Sequence, residues 1–144
     1  MHAAEPGFTL IELLIALAIA GVFAAFAVPS FESVLQRTRR SDVLVAAVQI
    51  QSAQERLHSR LARYGSLAEI ATPATTPAGH YALQLRGVDQ NGYELLATAT
   101  GAQARDAGCR FMSVRVSGLD LLYASGPSDA LANADAVNRR CWNS

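Results

Sequence analysis

Two patterns of apolar residues divide the first half of the chain. Leu13–Phe31 is a run of nineteen residues without a formal charge, and Glu12 is the one charged side chain from Phe8 to Phe31. As a helix this run would measure roughly 28 Å, which matches a hydrocarbon core of about 30 Å. A cleaved signal peptide is the alternative, but the run is long for one and no basic residue precedes it. We therefore expect the segment to span a membrane.

After Ser30 the apolar pattern becomes that of an amphipathic helix. Its seam follows alternating steps of four and three residues, and Gln54 is the one polar member. The seam comprises Val43, Ala47, Ile50, Gln54, Leu57, Leu61 and Tyr64. No glycine or proline interrupts it before Gly65, so one helix is predicted from about Phe8 to Tyr64. The seam needs a cover, which we expect the following sheet to provide, with a coiled coil as the alternative.

Beyond the Pro/Thr-rich connector Thr72–Gly79, the period of apolar positions falls to two, which is typical of strands. Four short strands are predicted, in HYALQLR, YELLATAT, CRFMSVRV and LDLLYA, and the last two form a tight hairpin at Ser117-Gly118. The following SGPSDALANADAVNRR is predicted to be a polar loop. These elements predict an α+β fold, in which a roughly four-stranded antiparallel sheet packs on the outer half of the long helix.

The charges balance, with twelve arginines, no lysine and twelve acidic residues. This balance gives no general electrostatic argument for a nucleic-acid partner. Cys109 and Cys141 are the two cysteines, and in an exported domain two cysteines are expected to form one disulfide. Such a bridge would close a loop of about 33 residues, worth roughly 3.5–4 kcal/mol on the chain-entropy model.

Glu12 is costly in an apolar span. A carboxylate near the membrane centre costs about 2.5–3.5 kcal/mol on insertion scales, and less towards the end of the helix. One interpretation places Glu12 at the headgroup boundary. The other expects a cationic partner, because buried charges persist when they are paired. No Lys or Arg lies in Phe8–Phe31, so this partner must be another chain or a newly made N-terminal amine.

The motif GFTLIE, followed by an unbroken apolar run, resembles the class III signal of type IV pilins and pseudopilins. The resemblance implies that prepilin peptidase cleaves between Gly7 and Phe8 and methylates the new amine of Phe8. This amine would then pair with Glu12 of a neighbouring subunit. Pro29 also matches a proline of the family and is expected to bend the helix or open it locally.

The same resemblance implies a pilin fold with three segments. They are a leader at residues 1–7, a transmembrane or filament-core half-helix at 8–31, and a globular domain at 32–144. Type IV pilins commonly have a disulfide that closes a C-terminal loop, here Cys109 to Cys141. The short loop and the Cys-Trp near the C-terminus are most similar to PilE-like minor pilins.

The leader MHAAEPG departs from the family because it has no Lys or Arg, whereas Arg37, Arg39 and Arg40 follow the span. The positive-inside rule, taken alone, would place these arginines in the cytoplasm. We expect the pilin orientation instead, with a single pass through the inner membrane and the C-terminal domain first periplasmic and then on a cell-surface pilus. The cysteines favour an oxidising compartment, and the cleavage motif is processed from the cytoplasmic face.

The resemblance thus implies a structural minor subunit of a type IV pilus, with no cofactor and no enzymatic activity. Its expected partners are other pilin subunits, prepilin peptidase, the inner-membrane pilus assembly platform and inner-membrane lipid. A pseudopilin of a type II secretion system and an uncleaved bitopic membrane protein are alternatives. A DNA-binding competence pilin is a further one, with Arg56, Arg60 and Arg63 on one helix face as candidate contacts for phosphate or a neighbouring subunit.

No catalytic or metal-ligating pattern stands out. The histidines are His2, His58 and His80, and none has a partner at ligand spacing. A disulfide is favoured over a nucleophilic role for Cys109, and YASGP lacks the first glycine of a G-x-S-x-G elbow. Asp129 and Asp135 do not follow the EF-hand pattern. We therefore predict neither catalytic residues nor a metal site.

Overall fold

The computed structural model describes residues 7–131 and 134–142, except for the side chains of residues 27–30. Most of the expected leader and His2 lie outside these ranges, and the expected bend at Pro29 concerns a side chain that is not described. The chain forms two compact units, residues 1–35 and 36–144. One long helix, α1 (Leu10–Leu61), contributes to both of them.

The first unit is the apolar part of α1. Every large apolar side chain described between Leu10 and Phe31 is more than half exposed. Among the described residues, α1 is the one helix whose length and composition would allow it to cross a membrane. The most apolar stretch of this helix is not buried within the protein. This part of the helix therefore has no core of its own.

The second unit begins with the amphipathic part of α1, whose buried stripe matches most of the predicted seam. Val43, Ile50 and Leu57 are buried, and Ala46 joins them from outside the predicted set. The helix ends at Leu61, three residues before the predicted end at Tyr64. The next residue, Ala62, has a φ of 52°, in the left-handed region that a continuing α-helix does not use. Leu61, the last residue of α1, is exposed, whereas Tyr64 beyond the helix is buried.

The predicted four-stranded antiparallel sheet is confirmed. Its strands are β1 (Tyr81–Arg86), β2 (Gly92–Ala99), β3 (Phe111–Ser117) and β4 (Asp120–Gly126), in the order β1-β2-β3-β4. The register pairs Leu83 with Ala97 and Ala97 with Met112, and these buried residues belong to one core cluster with Val43 and Ile50 of α1. The sheet rather than a coiled coil thus covers the helix.

The β3–β4 hairpin has the two-residue turn Gly118–Leu119. Gly118 adopts a φ of 59°, and Leu119 has no positive φ. This is the pattern of a type II′ turn, which requires glycine at its first central position and matches the right-handed twist of the flanking strands.

The segments on either side of the disulfide are more ordered than the sequence predicted. The stretch after β2 forms two short 3₁₀ helices, Gly101–Arg105 and Ala107–Cys109. The end of the predicted polar loop is a helix, α2 (Asp135–Trp142). The prediction of a loop was wrong for these residues because eight residues are too few to show a helical period. The buried face of α2 consists of Asn138, Cys141 and Trp142. The Cys109–Cys141 disulfide is confirmed.

Candidate functional site

The Gly7–Phe8 bond lies in a short non-helical segment immediately before α1. Phe8 is 92% exposed, and a Cβ added at Gly7 would meet no atom within 4 Å. Nothing in the described chain therefore shields this bond from an enzyme. The proposed cleavage at Gly7–Phe8 is a prediction that this accessibility permits.

Glu12 takes part in a capping box at the start of α1. Its Oε2 accepts hydrogen bonds from the Thr9 backbone N–H and hydroxyl, both at 2.9 Å, and the Glu12 N–H donates to Thr9 Oγ1 at 3.3 Å. The pattern Thr-x-x-Glu before an apolar run is a recognised signal for a helix N-terminus, and our sequence analysis missed it. The donors to Glu12 are uncharged, so the box supplies two hydrogen bonds to Oε2 without neutralising the charge of the carboxylate.

Gln54 is the polar member of the seam, and it is fully buried. Its Nε2 donates to the Gly65 carbonyl at 2.6 Å, and its Oε1 accepts the Gly65 N–H at 2.9 Å. One side-chain amide thus satisfies both polar groups of the Gly65 backbone, where the chain leaves α1. Buried polar groups persist when they are bonded in this way, so Gln54 is a structural residue of the turn.

The turn continues into a second capping box. Glu69 Oε2 accepts the Ser66 N–H at 2.8 Å, and its Oε1 accepts from Arg63 Nη2 at 2.8 Å. The Arg63 hydrogen bond, followed by those of Ser66, lowers the pKa of Glu69 to about 2. Glu69 therefore stays ionised, and Arg63 is occupied by it.

Arg56 and Arg60 line a groove of about 480 Å³ between α1 and the turn, together with Ile70 and Ala71. The prediction that Arg63 shares their helix face is wrong, because α1 ends at Leu61 and Arg63 lies beyond it. Glu69 also lines the groove, but its charge is matched by Arg63. The groove therefore carries an excess of two positive charges from Arg56 and Arg60.

A second groove, of about 280 Å³, contains arginines without such an excess. Arg86 and Arg115 line it opposite Asp89 and Glu94, and Arg115 pairs with Glu94 at 3.3 Å. Two arginines and two acidic residues balance there. Of these two grooves, the one at Arg56 and Arg60 is the better match to an anionic ligand.

A buried ion pair lies beside the disulfide, and the sequence analysis missed it. Arg40 Nε and Nη2 donate to the two carboxylate oxygens of Asp106 at 2.7 and 2.9 Å. The partners are 66 residues apart in sequence, so no local spacing indicated the contact. Gln103 supports the pair, since its Nε2 donates to Asp106 Oδ2 at 3.1 Å and to the Tyr81 hydroxyl at 3.0 Å. Burial raises the pKa of Tyr81 to about 12, so its hydroxyl stays protonated.

The residues considered for catalysis have structural contacts instead. The ring of His58 stacks on Tyr64 with ring centroids 4.6 Å apart, and the backbone N–H of His80 donates to Asp42. Ser125 of the YASGP stretch lies in β4, where its hydroxyl donates to Asn138 at 2.9 Å. Within the part of the chain that the structure describes, no group of three or more His, Cys, Asp or Glu residues could hold a metal ion.

An unburied apolar half-helix, an amphipathic half-helix covered by a four-stranded meander, and a disulfide near the C-terminus match the fold that the resemblance to type IV pilins implies. A model of the prokaryotic N-terminal methylation motif matches residues 3–28. A second model, described as type IV minor pilin ComP, DNA uptake sequence receptor, matches residues 29–113. The chain belongs to this type IV minor pilin family.

Curated relatives agree with this family. The chain is 30% identical over 89 residues to the type IV major pilin protein PilE1 of Neisseria gonorrhoeae, covering 60% of this chain and 49% of the relative. It is 32% identical over 101 residues to the type IV major pilin protein PilA of Myxococcus xanthus, covering 70% of this chain and 41% of the relative. It is 40% identical over 55 residues to the type IV major fimbrial protein FimA of Dichelobacter nodosus, with shares of 38% and 35%. The matches thus span half or less of these relatives.

Proposed function

We propose that the chain is a structural minor subunit of a type IV pilus. The observation that carries this proposal is the first unit: an accessible Gly7–Phe8 bond inside a matched methylation motif, followed by an apolar helix without a core of its own. An exposed apolar helix of this length needs lipid or neighbouring helices around it. The membrane holds the subunit before assembly, and other pilin subunits replace the lipid in the filament.

Cleavage by prepilin peptidase creates an amine at Phe8, and Glu12 supplies its counter-charge. The Thr9 capping box supplies two hydrogen bonds to Glu12 Oε2 but leaves a net charge in an apolar setting. Pairing that charge with the Phe8 amine of a neighbouring subunit lowers the cost of burying it. Pro29 supplies the helix bend, the C-terminal domain faces the periplasm before assembly, and the inner-membrane assembly platform moves the subunit into the filament.

Two single substitutions in the full-length chain test this proposal. Gly7→Ala should block processing, which mass spectrometry detects as an uncut N-terminus, whereas Gly21→Ala is the control because a Cβ there also meets no atom within 4 Å. Glu12→Ala should be cleaved normally and yet be depleted from sheared pili. Normal filament incorporation of Glu12→Ala would overturn the ion-pair argument, and a product of Gly7→Ala that begins at Phe8 would overturn the cleavage site.

A second candidate function is binding of duplex DNA by the assembled or free subunit. Two observations favour it: the matched family is described as a DNA uptake sequence receptor, and the groove at Arg56 and Arg60 has an excess of positive charge. Successive phosphates of a duplex strand attract guanidinium groups that project from neighbouring helical turns. Arg63 is the weakest of the three predicted contacts, because Glu69 already occupies it.

The test is a salt titration of duplex DNA binding by the full-length chain in detergent micelles. Arg56→Gln/Arg60→Gln should weaken binding to all sequences and reduce the slope of log affinity against log salt by about two. The matched control is Arg86→Gln/Arg115→Gln, which removes the same charge from the balanced groove. No binding at low salt, or equal losses in both double variants, would exclude the groove as the DNA site.

A further inference from the structure

Arg40 holds both segments that carry the cysteines. It is 9% exposed on α1, and its bidentate pair with Asp106 fixes the segment just before Cys109. Its remaining nitrogen, Nη1, donates to the Arg140 carbonyl at 2.7 Å. Arg140 directly precedes Cys141. One guanidinium therefore contacts both sides of the bridge.

The links from Arg40 to the two cysteines are short. The Asp106 carbonyl accepts the Cys109 N–H at 3.1 Å, so the residue bound by Arg40 also begins the 3₁₀ turn that carries Cys109. On the other side, the Arg140 carbonyl belongs to the peptide unit that ends at the Cα of Cys141. A third contact joins the segments, since the Arg140 guanidinium lies against Gly108 so closely that a Cβ there would overlap it.

None of the Arg40 hydrogen bonds uses a sulfur atom, so they do not require the disulfide. In a chain without tertiary contacts, closing the loop between residues 109 and 141 has the entropy cost of a chain of about 33 residues, and each contact that holds the two ends together removes part of this cost. A contact that brings both ends to one side chain converts this closure into a reaction between neighbours, which raises the effective concentration of one thiol at the other.

We propose that Arg40 is a positioning residue for disulfide formation, holding Cys109 and Cys141 together in the reduced chain before oxidation. The oxidant is an exchangeable disulfide. The thiolate of one cysteine attacks it, forms a mixed disulfide and releases one thiol. The thiolate of the other cysteine then attacks the protein sulfur of the mixed disulfide, which forms Cys109–Cys141 and releases the second thiol. In total the two cysteines lose two protons and two electrons, and the oxidant is reduced to two thiols.

Arg40 acts on the second of these steps. The first step depends on the exposure and ionisation of a single thiol, whereas the second depends on the distance between the two segments. The inference therefore predicts a slow second step, with accumulation of the mixed disulfide, when Arg40 is lost. Loss of a residue that only stabilised the fold would change the first step as well, because unfolding exposes the buried cysteines to the oxidant.

The experiment follows oxidation of the reduced, full-length chain in detergent micelles by oxidised glutathione, with acid quenching and mass spectrometry. Arg40→Met/Asp106→Leu removes both charges, so that no buried carboxylate is left unpaired. We expect its second step to slow about tenfold or more, because the gain in effective concentration is lost, while the first step is unchanged. Asp42→Asn is the matched control, since Asp42 is a buried polar residue of α1 that binds the N–H groups of Ala78 and His80, away from the cysteines.

Urea unfolding of each reduced variant separates positioning from stability. An unchanged second step in a folded Arg40→Met/Asp106→Leu variant would overturn the proposal, as would the same slowing in Asp42→Asn at equal stability. If the double variant does not fold when reduced, Arg40→Lys decides the question. Lysine keeps the charge but cannot bind Asp106 bidentately and also reach the Arg140 carbonyl. A wild-type rate in Arg40→Lys would then refute the role of Arg40.

Discussion

The two halves of α1 share one helical backbone and differ in what surrounds them. From Leu13 to Phe31 the helix has no charged side chain, and its described large apolar side chains are more than half exposed. The half from residue 36 to Leu61 is apolar along one stripe, which the sheet covers. The comparison shows that the first half depends on a membrane or on neighbouring subunits for its burial, whereas the second half is covered by its own chain.

Glu12 is the one charged residue of the apolar run and Gln54 the polar member of the seam, and their hydrogen-bonding groups are satisfied differently. Gln54 is neutral, and Gly65 supplies both hydrogen-bond partners for its amide. Glu12 has hydrogen-bond donors from Thr9, but no cation within its segment. A neutral amide can therefore complete a fold within one chain, whereas the carboxylate still requires a charge from outside. This difference is the physical basis for proposing an assembly role for Glu12 and a structural role for Gln54.

The largest effect should come from the disulfide. Replacing both cysteines, in Cys109→Ser/Cys141→Ser, should lower the free energy of unfolding of the globular unit by roughly 3.5–4 kcal/mol, because the unfolded chain regains the entropy of an open loop. Urea titration monitored by the fluorescence of the one tryptophan, Trp142, measures the change. The helical signal of the apolar half should not change. A parallel loss in both halves would show that the apolar half is stabilised by the globular unit after all.

The next largest effect should come from Gln54→Leu. The substitution keeps an apolar helix face but leaves the buried N–H and C=O of Gly65 without partners, which costs about 1–3 kcal/mol for each group. Burial of the added leucine side chain offsets part of this summed cost, so we expect a loss of about 2–4 kcal/mol in urea unfolding. Gln51→Leu, at an exposed position of the same helix, is the control and should change stability little. Equal stability of both variants would contradict the structural role of Gln54.

A smaller effect is expected from Thr9→Val, which removes the hydroxyl of the first capping box at nearly constant volume. Amide exchange in the first turn of α1 should accelerate about fivefold in micelles, since an N-cap contributes of the order of 1 kcal/mol. Thr9→Ser keeps the hydroxyl and should exchange like the wild type. If the exchange rates of these amides do not change in Thr9→Val, the surrounding detergent or lipid, rather than the capping box, stabilises this turn.

The smallest effect should be the pH dependence of the turn after α1. The folded pKa of Glu69 is about 2, below its ordinary value of 4.5, so its contribution to stability is complete above pH 4.5 and is lost as the pH falls towards 2. Glu69→Gln should remove this part of the acid titration, measured by urea unfolding at stepped pH. Arg63→Gln should do the same, because the Arg63 hydrogen bond is the largest cause of the shift. If the slope of the unfolding free energy against pH between 4.5 and 2 is the same in these variants as in the wild type, Arg63 and Glu69 do not contribute as proposed.

Much of the fold could be predicted because it depends on local periodicity. The period of two placed all four strands, and the apolar run placed the membrane-type helix. The errors fell where local signals were weak. The helix ends at Leu61 rather than Tyr64, since the stop comes from the backbone of Ala62 and not from a glycine. The helix α2 is too short for its eight residues to show a period.

The features of the candidate site can be divided in the same way, into those predicted from local sequence and those found only in the tertiary structure. The sequence by itself determined the Gly7–Phe8 motif, the unpaired charge of Glu12, and the presence of two cysteines in a chain of balanced charge. Tertiary structure alone decided which polar groups meet: Gln54 with Gly65, Arg63 with Glu69, and Arg40 with Asp106 and Arg140. The physical reason is that periodicity and motifs act between residues a few positions apart. A hydrogen bond between residues 40 and 106 exists only after the helix and the sheet have folded and brought their segments together.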